Sequence, residues 1–161
     1  MINFNERISI LIKPTNNCNL QCSYCFNNKE YTTIMTLTTL ENICNLVFPI
    51  KRKINLIFHG GEPLLWGYST FFSALKLIDE YVSKFNVTIN KSIQTNLSLI
   101  DEKYIELFKK YKVRIGTSFD GISNNHLTRK NTKIYLDNYK LLLENNLTSG
   151  AICVISKMNI N

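Results

Sequence analysis

Short apolar runs alternate along the chain with longer stretches in which apolar residues recur at helical spacing. Short runs rich in β-branched residues are typical of buried strands, and longer amphipathic stretches are typical of helices. The predicted strands are Ile8–Ile12, Ile54–His59, Val87–Gln94, Arg114–Phe119 and Ala151–Ile155. The predicted helices are Leu37–Val47, Phe71–Lys84, Asp101–Lys110 and Ile134–Asn145. Strands that alternate with helices in this way indicate βα units and a parallel sheet.

Polar and glycine-rich clusters follow the predicted strands at the points where the strands end. A cysteine-containing loop follows the first strand, and the segment 59–63, His-Gly-Gly-Glu-Pro, follows the second. The third strand ends in Gln94-Thr95-Asn96, and the fourth ends in Ser118-Phe119-Asp120-Gly121. In a parallel β/α barrel, all these ends lie on the face where active sites form. The sequence therefore predicts an α/β fold, a partial (β/α) TIM-type barrel of about five βα units, with its site on this face.

Composition limits the classes of protein to which the chain can belong. Its 161 residues fit one domain, 1–161, and no stretch reaches the ~20 apolar residues of a membrane-spanning helix. The formal charge of +7 comes from basic residues scattered among acidic ones, which favours a solvated surface over nucleic-acid binding. The first residues, MINFNER, show no signal-peptide pattern, and three of the five cysteines are crowded together. Both features favour a reducing cytoplasm over a disulfide framework.

Cys18, Cys22 and Cys25 form a C-x3-C-x2-C motif in the loop after the first strand. Thiolates are soft ligands that select iron–sulfur clusters or zinc. Three thiolates can hold three irons of a 4Fe–4S cluster and leave the fourth iron for an external ligand, whereas structural zinc normally takes four protein ligands. A zinc site completed by His59 or Cys44 is the alternative, although the spacing matches no common structural zinc motif.

Residues suited to an organic ligand stand beside the cysteines and after the second strand. Tyr24 and Phe26 flank Cys25, where they can shield a cluster from solvent. In Gly60-Gly61-Glu62-Pro63 the glycines allow close approach of the backbone to a ligand, and the glutamate adds a negative charge that suits an ammonium group. A tight βα turn is the alternative interpretation of this segment.

These motifs together resemble those of the radical S-adenosylmethionine (SAM) superfamily. The matching segments are CNLQCSYCF, HGGEPLL, QTN, and SFDG with a following His126 and Arg129, in this order. Within the superfamily, the chain is most similar to the branch of anaerobic sulfatase-maturating enzymes and SPASM-type peptide maturases. The resemblance extends roughly from Ile8 to Ile155, and the cysteine motif is its most specific part.

The resemblance implies a role for each motif. Cys18, Cys22 and Cys25 would hold a 4Fe–4S cluster, and SAM would chelate the open iron through its amino and carboxylate groups. Segment 60–63 would hold the methionine ammonium group, with His59 behind it. The further binding positions that it implies are Tyr24 and Phe26 near the cluster and adenine, Ser118 and Arg129 at the methionine carboxylate or ribose, Asn96 and Asp120 on the same rim, and Val154 and Ile155 beside the adenine.

The resemblance also implies an activity. One-electron reduction of the cluster would cleave SAM into methionine and a 5′-deoxyadenosyl radical, which abstracts a hydrogen atom from an unactivated C–H bond. The expected substrate is a peptide or protein side chain, and the expected electron donor is a reductant such as ferredoxin or flavodoxin. No residue is assigned as a general base.

Taken singly, several residues also fit ordinary structural roles. Arg129 fits a surface arginine, and His126 fits a loop or the start of a helix. Cys44 lies on the apolar side of the first predicted helix, which favours a small buried hydrophobe. Cys153 alternates with apolar neighbours in the fifth predicted strand, which favours a core position.

The chain departs from the family in its number of βα units. The superfamily core has six such units, and this branch usually adds a cysteine-rich C-terminal region, whereas five strands and no such region are predicted here. The fifth strand then presents an open edge, which a partner chain or a second copy would cover. The alternatives are a fragment, a non-catalytic half that assembles with another chain, and a short activating enzyme of the glycyl-radical type.

Overall fold

A computed structural model describes residues 7–27, 33–122, 128–147, 150–157 and 160. Its strands are β1 (Arg7–Ile12), β2 (Lys53–Phe58), β3 (Thr88–Thr95), β4 (Val113–Ser118) and β5 (Ala151–Ile152). Its α-helices are α1 (Leu37–Val47), α2 (Tyr68–Phe85), α3 (Glu102–Lys110) and α4 (Thr132–Glu144). A 3-10 helix at Pro63–Trp66, which the sequence pattern did not predict, lies between β2 and α2.

All five strands run parallel, in the spatial order β1-β2-β3-β4-β5. Each strand neighbours the next one along the chain, as in a β/α barrel, and the order does not reverse as it does in doubly wound sheets. Because the strands are parallel, their carboxyl ends lie along one edge of the sheet. The predicted α/β class with a parallel sheet is therefore confirmed.

Successive side chains of a strand point to opposite sides of the sheet. Here one face carries apolar side chains, and the other carries polar ones. On one side, Phe58 of β2 is buried in the apolar core, with its ring centre 4.8 Å from that of Phe71 in α2. On the other side, the Asn55 amide donates to Ser9 Oγ at 3.2 Å and accepts from the Asn90 amide at 3.0 Å. The helices therefore cover the apolar face, and this polar row crosses the opposite face from β1 to β3.

Side-chain caps begin two of the helices. Thr36 Oγ1 accepts the Thr39 amide at 3.2 Å before α1, and Asp101 Oδ1 accepts the Tyr104 amide at 2.9 Å before α3. Such a cap typically contributes about 1 kcal/mol. Cys44 of α1 is buried in the core, as its sequence position predicted. Among the helices of the described ranges, none has the length and apolar character needed to cross a bilayer.

The fifth strand is shorter than predicted, since β5 ends at Ile152 and not at Ile155. The Val154 amide donates to Asp120 Oδ1 at 3.2 Å. This amide therefore bonds to a side chain of the loop after β4 and does not pair with the backbone of a neighbouring strand. Cys153 lies beyond the strand and is exposed. Its predicted core position is therefore wrong.

Candidate functional site

A cavity of about 320 Å³ lies at the carboxyl ends of the strands, at the lower end of the size range of small-molecule sites. Most of the predicted site residues line it: Cys18, Cys22, Tyr24, Cys25, Phe26, His59, Gly60, Gly61, Asn96, Ser118, Arg129 and Val154. Lining residues that had not been predicted as binding positions are Leu20, Asn27, Gln94, Thr95 and Ile152. Their positions in the cysteine loop or at strand ends were the signal that could have identified them.

The three loop cysteines lie on one wall of the cavity and form no disulfide with any described cysteine. Burial raises the pKa of Cys22, the charge of Arg129 lowers it, and the neighbouring thiolates of Cys18 and Cys25 raise it. The Ser23 amide donates to the Thr128 carbonyl at 3.1 Å and so ties the loop to the segment before α4.

The donor set suits a cluster with three protein ligands. In a 4Fe–4S cluster each cysteine sulfur binds a different iron, so the sulfurs surround the cluster and do not converge on one point. Within the described ranges, no three His, Cys, Asp or Glu side chains are arranged to hold a single metal ion. Of the two proposed fourth ligands for zinc, Cys44 is buried in the core and does not line the cavity, whereas His59 lines it. Three thiolates facing an open cavity therefore fit a 4Fe–4S cluster with one iron open to an external ligand.

Asn96 lies beside a cysteine sulfur and not only on the cavity rim. Its Nδ2 lies 3.8 Å from Cys18 Sγ, in donor geometry, and donates to Asn19 Oδ1 at 2.9 Å. The Leu20 amide also donates to Cys18 Sγ, at 3.4 Å. Both of these donors are neutral.

Gly60 and Gly61 bring the end of β2 against the base of the cysteine loop. The Gly61 amide donates to the Thr15 carbonyl at 3.0 Å, and the Glu62 amide donates to the Asn17 carbonyl at 2.8 Å. A Cβ on Gly60 would lie 2.5 Å from Thr15 O, and one on Gly61 would lie 2.0 Å from Asn17 O. Gly60 also has a φ of +122°, which side chains disfavour. The glycine pair is thus required by this packing, whatever ligand the cavity holds.

Glu62 lies behind the cavity wall and not on it. Its side chain accepts the Leu64 amide at 3.1 Å and the Thr95 hydroxyl at 2.8 Å on one oxygen, and the Asn96 amide at 2.8 Å on the other. Burial raises the pKa of Glu62 to about 7, although these hydrogen bonds lower it. Pro63, which follows, is buried at the start of the 3-10 helix. These two residues of the motif face β3 and the core, and neither borders the cavity.

Asp120 also lies behind the wall, where it joins several segments. Its Oδ2 accepts the Tyr24 hydroxyl at 2.5 Å, the Thr128 hydroxyl at 2.7 Å and Arg129 Nε at 3.0 Å. Burial alone would raise the pKa of Asp120, but these hydrogen bonds, the Val154 amide and the Arg129 charge lower it below its usual value. The carboxylate therefore connects the cysteine loop, the end of β4 and the segment after β5.

Arg129 is buried, so the interpretation of it as a surface arginine is wrong. The Asp120 carboxylate compensates its charge, and Arg129 Nη1 lies 3.9 Å from Cys22 Sγ. Its guanidinium carbon also lies 5.5 Å from the centre of the Tyr24 ring. His126, the other residue of this part of the motif, lies outside the described residues.

Ser118 is positioned by a glutamine of the neighbouring strand. Gln94 Nε2 donates to Ser118 Oγ at 2.8 Å and to the Thr117 carbonyl at 2.7 Å. The glutamine side chain crosses Gly116, where a Cβ would lie 2.4 Å from Gln94 Oε1. Because Ser118 Oγ accepts this hydrogen bond, its own hydroxyl hydrogen remains to be donated elsewhere.

Of the remaining predicted residues, His59 and Phe26 line the cavity and Ile155 does not. His59 Nδ1 accepts the Gly60 amide at 2.7 Å, so the neutral ring carries its hydrogen on Nε2. Burial, and then the charge of Lys13, lower the pKa of His59. Phe26 is 84% exposed at the cavity wall, and Ile155 is 73% exposed and does not line the cavity. A Phe26 ring in this position leaves the cysteines partly open to solvent.

Comparison with known proteins identifies the family to which the chain belongs. The model of the Radical SAM superfamily matches residues 12–161. The chain is 34% identical over 158 residues to an uncharacterized protein of Methanocaldococcus jannaschii, covering 94% of this chain and 54% of that protein. It is 35% identical over 130 residues to a cysteine-type anaerobic sulfatase-maturating enzyme of Clostridium novyi, covering 75% of this chain and 34% of that enzyme. The chain thus spans about half, or less, of the length of these curated relatives.

Solved structures show the same relationship. The structure of histidine-tagged anSMEcpe with bound AdoMet has a TM-score of 0.86 and 30% identity, covering 93% of this chain and 44% of that one. Native anSMEcpe with bound AdoMet and Cp18Cys peptide has a TM-score of 0.84 and 32% identity, covering 92% and 43%. Streptococcus suis SuiB, at 18% identity and a TM-score of 0.69, supports the fold alone. With the family model matching residues 12–161, the chain belongs to the radical SAM superfamily, as its motifs predicted.

Proposed function

We propose that this chain binds a 4Fe–4S cluster and SAM in the cavity and forms the radical-generating core of an enzyme that modifies a peptide or protein side chain. The observation that carries the proposal is that Cys18, Cys22 and Cys25 line one cavity with the glycine pair and the ends of β3 and β4. When bound, the cluster supplies the electron that cleaves the SAM sulfonium to give a 5′-deoxyadenosyl radical. The chain itself binds and orients the cluster and SAM, and it excludes water from the cavity.

The residues divide between the cavity wall and its support. The three cysteines hold the cluster, and Gly60 and Gly61 lie where the methionine ammonium group is expected. The other groups proposed to contact SAM are Ser118 and Arg129 at its carboxylate or ribose, His59 and Asn96 beside them, and Tyr24, Phe26 and Val154 near the adenine. Ile155 is exposed outside the cavity and is not among them. Glu62, Pro63 and Asp120 support this wall from behind through the hydrogen bonds and burial described above.

The substrate class rests on the relatives. Two kinds of sulfatase-maturating enzyme, cysteine-type and serine-type, are among the similar curated proteins, and two similar structures hold a peptide. We extend this to a peptide or protein side chain as the substrate and to a one-electron donor such as ferredoxin or flavodoxin.

The described cysteines form no disulfide, which favours a reducing compartment such as the cytoplasm. We further propose that residues 1–161 act as one core unit and that a partner chain or second copy covers the edge strand β5.

The test is reductive cleavage of SAM by the 161-residue chain. The chain is reconstituted with iron and sulfide without oxygen, reduced with dithionite, and assayed for 5′-deoxyadenosine by chromatography and mass spectrometry. We expect product from the wild type and from Cys153→Ala, which alters an exposed cysteine outside the motif. We expect none from Cys22→Ala. Equal product from Cys22→Ala, or none from a wild type that carries both cluster and SAM, contradicts the proposed activity.

A further inference from the structure

A buried cation lies beside one of the loop cysteines. Arg129 Nη1 lies 3.9 Å from Cys22 Sγ, in donor geometry, and its side chain is only 9% exposed. Two donors near Cys18 Sγ, the Leu20 amide and the Asn96 side chain, are neutral. Cys22 therefore lies beside a buried cation.

The guanidinium is fixed in this position from two other directions. Its Nε donates to Asp120 Oδ2 at 3.0 Å, and its carbon lies 5.5 Å from the centre of the Tyr24 ring. The Tyr24 hydroxyl donates to the same Asp120 oxygen, so the carboxylate, the ring and the cation form one unit. The planar fork of arginine can contact a carboxylate and a sulfur at once, which the single ammonium group of lysine cannot do in the same geometry.

We propose, on the basis of the proposed function, that Arg129 is a positioning residue that raises the reduction potential of the cluster through Cys22. The potential of an iron–sulfur cluster depends on its net charge, on hydrogen bonds to its sulfurs and on solvent exposure. Reduction adds one electron from the external donor, and a fixed cation beside a ligand sulfur stabilises the added negative charge. The Asp120 carboxylate opposes this effect, but its influence on Cys22 is smaller than that of Arg129. Burial strengthens this interaction because the local dielectric constant is lower than that of water.

The test is a redox titration of the cluster-loaded chain, followed by electron paramagnetic resonance of the reduced cluster. Arg129→Gln removes the charge and should shift the potential to more negative values. Arg129→Lys keeps the charge but cannot hold both contacts, so its potential should fall between those of wild type and Arg129→Gln. Arg114→Gln, which alters an exposed arginine of β4, controls for the loss of one positive charge and should match wild type.

A second readout separates the electrostatic effect from a displaced loop. Hydrogen exchange of the Ser23 amide, which donates to the Thr128 carbonyl at 3.1 Å, reports on the seating of the loop in the cluster-free chain. We expect its exchange in Arg129→Gln to stay as slow as in wild type. Equal potentials for Arg129→Gln and Arg114→Gln overturn the proposal.

The remaining outcomes also decide the proposal. If Arg129→Gln binds no cluster, Arg129→Met, which also removes the charge, replaces it, and a potential for that variant equal to wild type overturns the inference. A wild type that binds no cluster overturns the proposed function as well. An unchanged potential in a loaded variant overturns only the role of Arg129.

Discussion

The backbone of Gly61 lies so close to Asn17 that a methyl group on Gly61 would come within 2.0 Å of the Asn17 carbonyl oxygen. The same oxygen accepts the Glu62 amide at 2.8 Å, so the end of β2 and the base of the cysteine loop form one joint. The placement of the loop therefore depends on backbone packing within the chain as well as on any metal that the cysteines bind.

The first prediction concerns this joint. Gly61→Ala should lower the free energy of unfolding by about 1–3 kcal/mol, the usual cost of forcing extra atoms into a packed site. Urea denaturation of the cluster-free chain measures it. Gly150→Ala, where an added Cβ meets nothing within 4 Å, should stay within about 0.5 kcal/mol of wild type. Equal midpoints for the two variants would mean that the close contact with Asn17 does not constrain the fold.

The second prediction concerns the pH dependence that Glu62 imposes. Its pKa of about 7 in the folded chain lies above its ordinary value of 4.5. Between these two values the folded chain binds more protons than the unfolded chain, so stability falls as the pH rises, by about 3 kcal/mol in total for this group. Glu62→Gln has no such proton to lose. It should lack this part of the decline.

Urea denaturation at several pH values between about 4.5 and 8 tests this sign. We expect the unfolding free energy of wild type, relative to that of Glu62→Gln, to decrease across this range. The glutamine side chain also has one acceptor oxygen where the carboxylate has two, so it cannot keep both hydrogen bonds from Thr95 and Asn96. This loss shifts the stability of the variant by an amount that does not depend on pH. A constant difference between wild type and variant would show that the pKa of Glu62 is not raised.

The third prediction tests the Asp120 junction. Tyr24→Phe removes the hydroxyl that donates to Asp120 Oδ2 but keeps the ring under the Arg129 guanidinium. Loss of a hydrogen bond to a charged group should lower the unfolding free energy of the cluster-free chain by about 1.5–3 kcal/mol. Tyr68→Phe alters an exposed tyrosine and is the matched control, with no expected change. Similar stability of the two variants would count against the junction.

The fourth prediction concerns the serine at the end of β4. Gly116→Ala places a Cβ where Gln94 Oε1 lies, so Gln94 must move and Ser118 loses its orienting partner. We expect the cluster-loaded variant to bind SAM about fivefold more weakly, the equivalent of one hydrogen bond. Equilibrium dialysis under anaerobic conditions measures the affinity. An unchanged Kd would remove Ser118 and Gln94 from the proposed binding site.

The architecture and the location of the site follow from sequence because they depend on local patterns. The alternation of short apolar runs with amphipathic stretches predicts the order of the βα units. The polar clusters at the strand ends predict that the site lies at the carboxyl ends of the strands. The chain order also places the cysteine loop and the glycine pair on neighbouring strands, β1 and β2. These features need no knowledge of side-chain orientation.

The orientation of individual side chains does not follow from sequence. The motif around Glu62 gives a carboxylate but not the direction in which it faces, and its partners at Thr95 and Asn96 come from another strand. Arg129 resembles any surface arginine until Asp120 and Cys22 are brought beside it. These groups are distant in the chain, and only the folded sheet sets their distances.

The most direct measurement of the central claim is the iron and sulfide content of chain reconstituted without oxygen, together with its electron paramagnetic resonance after reduction. We expect about four irons and four sulfides per wild-type chain and the signal of a reduced 4Fe–4S cluster. Cys153→Ala should retain both, and replacement of Cys18, Cys22 and Cys25 by alanine should abolish both. A wild-type chain that stays free of iron, or a triple variant that still holds the cluster, would contradict the account.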